Sequence, residues 1–223
     1  IVWTDEALVT AFVNNIYEGQ KWGFHTVMLS SLCDESMEVW SWESQPVVQS
    51  ELSPSYQGIL APNFWIMTFQ NITWNSLYKN IRACNMFLEN VKKYELQGEA
   101  IERLHGEVLY LRGYFYYWLL IQWGGVPLID KTFTPEDELK VSRNTFKETV
   151  DFIVKDLDDA ASLLPLSGDK ARATKGAALA LKSRVLLYAA SDLYVSQSQW
   201  AVGYEHPELV GYVGRMQKKQ QKM

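Results

Sequence analysis

At 223 residues, 48 % of them hydrophobic, the chain is long enough to bury a sizeable core and reads as globular, not disordered. A formal charge of −5, with Lys218, Lys219 and Lys222 as the only clustered basic run, argues against a nucleic-acid partner. No apolar run reaches the roughly 18 residues that cross a bilayer, and Ile1 to Glu6 has no basic leader region, so any export signal is expected to be removed or to lie outside these residues.

In chain order, Thr4 is placed to cap a first helix whose Leu8, Phe12 and Ile16 recur at fours before Gly19. From Trp22 to Asn63 periodicity fails among prolines, serines and aromatic residues, which predicts a long irregular excursion over 22–63. Phe69, Ile72, Leu77, Ile81, Cys84, Leu88 and Val91 then form one amphipathic stripe, and Ile101, Leu104, Val108, Leu111, Phe115 and Trp118 form the next, closed by Gly124-Gly125 and Pro127. These two helices should pack antiparallel. The run Val126 to Ile129 is at most a lone edge strand. Thr145 and Glu148 fit a capping box ahead of a helix buried through Phe146, Val150, Ile153, Leu157 and Leu164. Thr174 caps an Ala-rich helix buried through Leu181, Val185 and Tyr188, and residues 216–223 lack an apolar stripe and are expected to fray. The pattern is all-α: helix hairpins in series, resembling a tetratricopeptide array but without a clean repeat period.

Nothing in the motifs announces an enzyme, because the serine-elbow and phosphate-loop patterns are missing and His25, His105 and His206 lie far apart. No cofactor or metal is therefore expected. Asp34, Glu35 and Glu38 are the first candidates for a glycosidase acid pair, against hydrogen bonding to a ligand or plain solvation. Asp156, Asp158 and Asp159 sit mid-helix and read as a solvated face. Arg112 lies in an apolar, aromatic stretch and must find acceptors or a ring, so it is expected to tie helices together. Arg172 and Arg184 invite the same reading, with Asp156 to Asp159 as partners. Aromatic residues make up 13 % of the chain; Trp40 and Trp42, with Asp34 and Glu38 nearby, either anchor the long segment or stack on sugar rings. Cys33 and Cys84 either pair or stay as free buried thiols.

Gly106-Glu107-Val108-Leu109-Tyr110-Leu111-Arg112-Gly113-Tyr114-Phe115-Tyr116-Tyr117, followed by Gly124-Gly125-Val126-Pro127-Leu128-Ile129, resembles the central signature of SusD/RagB proteins. So do Trp74, Tyr78, Ile81, Asn85, Phe87 and Leu88 on the preceding helix, and then Arg143-Asn144-Thr145, Asp156 to Pro165, and Arg172 through Arg184 to Tyr188. Leu109 and Gly113 depart from the Arg and Ala usual there. The resemblance marks Trp74, Tyr78, Asn85, Glu107, Arg112, Pro127, Asp156, Arg172 and Arg184 as scaffold residues, and the chain as the N-terminal portion of a longer protein. It implies a lipid-anchored outer-membrane protein, exposed on a Gram-negative cell, that binds oligosaccharide without cleaving it and serves a SusC-like TonB-dependent transporter. A tetratricopeptide-type adaptor, or a helical glycoside hydrolase using Asp34 and Glu38, are the alternatives.

Overall fold

The computed structural model describes residues 2–20, 35, 49–51, 73–138, 140–169, 171–194 and 203–212. Trp40, Trp42, Asp34, Glu38, Cys33, Phe69, Ile72 and the 216–223 tail lie outside them, as does most of 22–63. Among the described residues five α-helices carry the fold: α1 (Glu6–Tyr17), α2 (Trp74–Lys93), α3 (Glu99–Trp123), α4 (Phe146–Leu163) and α5 (Lys175–Ala190). Single turns of 3-10 helix cover Val2–Thr4, Glu18–Gln20, Asp192–Tyr194 and Pro207–Leu209. There is no β-strand among the described residues.

Start signals match the local chemistry. Thr73 caps α2, Thr174 caps α5, and Thr145 with Glu148 completes a capping box on α4, each hydroxyl accepting an N–H that the first turn cannot bond internally. The first helix corrects the expectation built on Thr4. Asp5 is its cap, with extended backbone and a carboxylate accepting from the Ala7 and Leu8 N–H groups. Val9, Val13 and Ile16 face the core, Leu8 is 41 % exposed and Phe12 is partly covered. One residue along a helix is a turn of about 100°, so the valines, and not Leu8 and Phe12, set the buried stripe.

α3 is the spine. It packs against α2 on one side and α4 on the other, with α1 across it, and α4 in turn packs on α5. Fourteen of its 25 residues are buried, spread around the helix, which is why its sequence is apolar on every side. Gly113 lets α4 come close: a Cβ there would stand 3.1 Å from Leu157 Cδ2. The principal core joins Val13, Ile81, Phe87, Leu104, Phe115, Tyr116, Ile153 and Val185, and a smaller cluster of Leu109, Ala160, Leu164 and Ala178 lies beside it. Tyr188, expected on the buried face of α5, is 41 % exposed, because Ala178, Leu181, Val185 and Ala189 hold that face and Tyr188 stands at its edge, edge-on to Tyr117.

The run Val126 to Ile129 is not a strand. Its polar backbone is satisfied by side chains from three helices and a loop: Tyr78 donates to the Pro127 carbonyl at 2.8 Å, Asn85 Nδ2 to Ile129 O at 2.9 Å, and the Leu128 N–H donates to Asn144 Oδ1. The Ile129 N–H donates to Tyr116 Oη at 2.7 Å, and the Val126 N–H to Thr149 Oγ1. A segment so fully bonded needs no neighbouring strand.

Candidate functional site

The motif residues converge on one buried polar network. Arg112, on α3, forks onto Asp156 of α4 with Nε–Oδ2 and Nη2–Oδ1 both at 2.7 Å, and its Nη1 donates to Asn85 Oδ1 of α2 at 2.9 Å. Asn85 passes the connection on to the Ile129 and Lys131 carbonyls. A guanidinium suits this place because its planar fork matches both carboxylate oxygens while its face lies over the Phe152 ring, 5.0 Å from the centroid. Burial opposes charge on Arg112, but the bonds to Asp156 outweigh it and hold the guanidinium above its ordinary pKa. Burial also pushes the Asp156 carboxyl up while Arg112 pulls it down. With both oxygens taken by short charge-assisted bonds, the ionised pair is the state that the geometry supports.

Asp156 thus corrects the solvated-face reading, at 2 % exposure. Asp158 and Asp159 do face outward and pair with Lys182 and Lys155. Those pairings leave Arg172 and Arg184 without the partners expected of them. Arg172 instead bonds the fully buried Glu107 at 2.7 Å and Asn14 Oδ1 at 2.5 Å, its guanidinium lying near the Tyr17 ring, which links α1, α3 and the loop before α5. Arg184 is exposed. Trp74 lies tilted against the Tyr78 ring and edge-on to Trp123, where α2 begins and α3 ends, and burial pushes the Tyr78 and Tyr116 hydroxyls far up. Cys84 is a fully buried free thiol, also pushed up by burial, and so unreactive.

Beside this network a cleft of ≈ 710 Å³ opens between the end of α2, α3 and α4. Leu88, Leu109, His105, Arg112, Asp156 and Asp159 are among the residues that line it. Sequence reasoning missed it: Arg112, Asp156 and Asp159 stood out singly, but the walls come from three helices and from residues 95–97, which only the packing brings together. Both aspartates there are bound to basic side chains, Asp156 to Arg112 and Asp159 to Lys155, and Glu95 supplies a third carboxyl to the lining. Among the described residues no group of three His, Cys, Asp or Glu is arranged to hold a metal. None of the described helices is long and apolar enough to cross a membrane.

His105 is held below its ordinary pKa of 6.5, first by burial and then by the Arg112 charge, against the pull of Asp159 and Asp156. A histidine with a depressed folded pKa leaves more proton on the unfolded chain, so stability falls as pH drops through its unfolded value. His105→Gln should flatten the loss of urea midpoint between about pH 7.5 and about pH 5.5, and equal losses in both proteins would contradict this.

Fold and network together define a helical-pair platform whose buried charges hold helices to one another. Residues 3–187 match the model of a SusD-like family described as starch-binding and associating with the outer membrane. The chain belongs to this SusD-like family. It is 34 % identical to a SusD-like protein of Bacteroides fragilis, with a TM-score of 0.63 over 83 % of this chain and 35 % of that one. It also resembles a laminarin-binding SusD-like protein in fold, with 22 % identity and a TM-score of 0.62 over 82 % of this chain and 40 % of the other. The SusD-like protein P38 of Formosa agariphila is 27 % identical over 121 residues, 52 % of this chain and 23 % of the relative. The chain spans about a quarter of the curated relatives it matches and little more than a third of the Bacteroides structure.

Proposed function

We propose that this chain belongs to a non-catalytic glycan-capturing protein at the outer surface of the outer membrane, held there by an N-terminal lipid outside these residues. It passes oligosaccharide to a SusC-like TonB-dependent transporter. The observation that carries this reading is the family match over residues 3–187, and a laminarin-binding protein of the same fold supports a glucan or similar carbohydrate as ligand. The helical platform supplies rigidity, and flat rings with a few directed polar groups supply recognition. Trp40 and Trp42 are the stacking residues, and Asp34 and Glu38 accept sugar hydroxyls.

A glycan array followed by calorimetry on the complete polypeptide tests this. Trp40→Ala and Trp42→Ala should each weaken carbohydrate binding by about tenfold with the helical circular dichroism unchanged, the scale expected of a lost aromatic anchor. Binding that ignores both substitutions overturns their role, no binding to any glycan overturns the reading as a whole, and release of reducing ends would point to the hydrolase alternative.

A further inference from the structure

The cleft beside the Arg112 network is shaped by the way α2 ends. The Leu96 N–H donates to Val91 O at 3.0 Å and the Glu95 N–H to Lys92 O at 3.4 Å, the paired bonds that close a helix around a left-handed residue. This closure turns Leu96 back toward Val91, and the two join Leu88 and Leu109 as the aliphatic part of the cleft lining. The left-handed residue is Glu95, with φ 49°, at a place where glycine would carry no Cβ penalty. A carboxylate held on strained backbone at the rim of a cleft points to a use for that carboxylate.

The charges around this lining balance, and most are committed to one another. Arg112 closes on Asp156 and Lys155 on Asp159. That leaves Lys92 and Glu95 as the cation and the carboxylate of the cleft without an ion pair among the described residues, both exposed and close together in the chain. His105, held below its ordinary pKa, adds no charge at neutral pH. A cleft with no net charge favours neither a simple anion nor a simple cation. An unpaired cation and carboxylate beside aliphatic side chains instead complement a molecule that carries a carboxylate, an ammonium and an alkyl chain together. A volume of ≈ 710 Å³ lies within the range of small-molecule sites. We propose that the cleft binds a small zwitterion with an aliphatic side chain, of the class of the free aliphatic amino acids. Lys92 takes its carboxylate, Glu95 its ammonium, and Leu88, Val91, Leu96 and Leu109 its alkyl chain. The inference is independent of any glycan.

Calorimetry on the complete polypeptide near neutral pH tests it with L-leucine as the probe, which should bind saturably with a Kd of about 1 mM or tighter. N-acetyl-leucine, leucinamide and glycine lack the ammonium, the carboxylate and the alkyl chain in turn. Each should bind about tenfold or more weakly than leucine. Lys92→Gln and Glu95→Gln should cut leucine affinity by a similar factor. Glu95→Gly should do the same while melting at or above the parent temperature, since glycine relieves the backbone and the carboxylate serves the ligand and not the fold. No saturable leucine binding up to about 10 mM overturns the proposal, as do equal affinities for all the probes, or leucine binding unchanged by Glu95→Gly. A sample that binds carbohydrate but not leucine overturns this proposal alone. One that binds leucine but no glycan upholds it and overturns only the carbohydrate reading.

Discussion

Arg112→Met lowers the unfolding free energy by about 3–5 kcal/mol, the scale of removing one partner from a buried ion pair. The guanidinium is 8 % exposed and Asp156 2 %. Methionine fills much of the volume but leaves a carboxylate stripped of water with no cation, and an Asn85 oxygen without its donor. Arg112→Lys recovers little, since a single ammonium cannot reach both Asp156 oxygens and Asn85 together. The informative comparison is the double replacement Arg112→Met with Asp156→Leu. It should restore most of the loss, because the cost lies in the orphaned charge and the two effects are coupled. Urea unfolding of the three variants measures this. A single-variant loss below about 1 kcal/mol would mean that the pair is solvated and the network is not a tie between helices.

Gly125→Ala should cost at least about 3 kcal/mol, the upper end for forcing atoms into filled space. An added Cβ would sit 2.2 Å from Asn144 O, 2.7 Å from Thr145 C and 2.8 Å from Phe146 N. All three atoms are backbone at the start of α4, where the capping box fixes the chain, so none can swing aside as a side chain would. The neighbouring Gly124 adds a φ of 74°, and its own Cβ would meet Leu209 O at 2.4 Å. Here the end of α3, the start of α4 and the 207–209 turn come together. Arg143 donates to the Gly125 and Trp123 carbonyls, and the Gly125 N–H donates to Leu209 O, each at 2.7 Å. Gly168→Ala is the control: its Cβ would lie 3.8 Å from Pro165 Cγ, and the change should stay within about 0.5 kcal/mol. Thermal melts by circular dichroism decide it, and Gly125→Ala melting with the parent would contradict the packing described.

Much of this molecule was legible in one dimension because helices are local objects. A hydroxyl three residues before a glutamate is a capping box wherever it occurs, so Thr145 and Glu148 announce the start of α4, and paired glycines end α3 as their spacing suggests. The all-α class and the family follow from such signals. Their phase is less secure: Leu8 and Val9 are both apolar, and only contact with α2 and α3 decides which of them turns inward.

By itself, the sequence determined where α4 and α5 begin and where α3 ends, and that Arg112 needs acceptors. Only the tertiary structure decided who those acceptors are, because a charge in a low-dielectric interior is satisfied by whatever the packing brings within 3 Å. That is why Asp156 is buried beside Arg112 while its neighbours Asp158 and Asp159 stay at the surface, and why Arg172 reaches across 65 positions to Glu107. The cleft beside His105 belongs to the same kind of fact, since its walls are supplied by three helices and residues 95–97, whose separation in sequence says nothing of their distance in space.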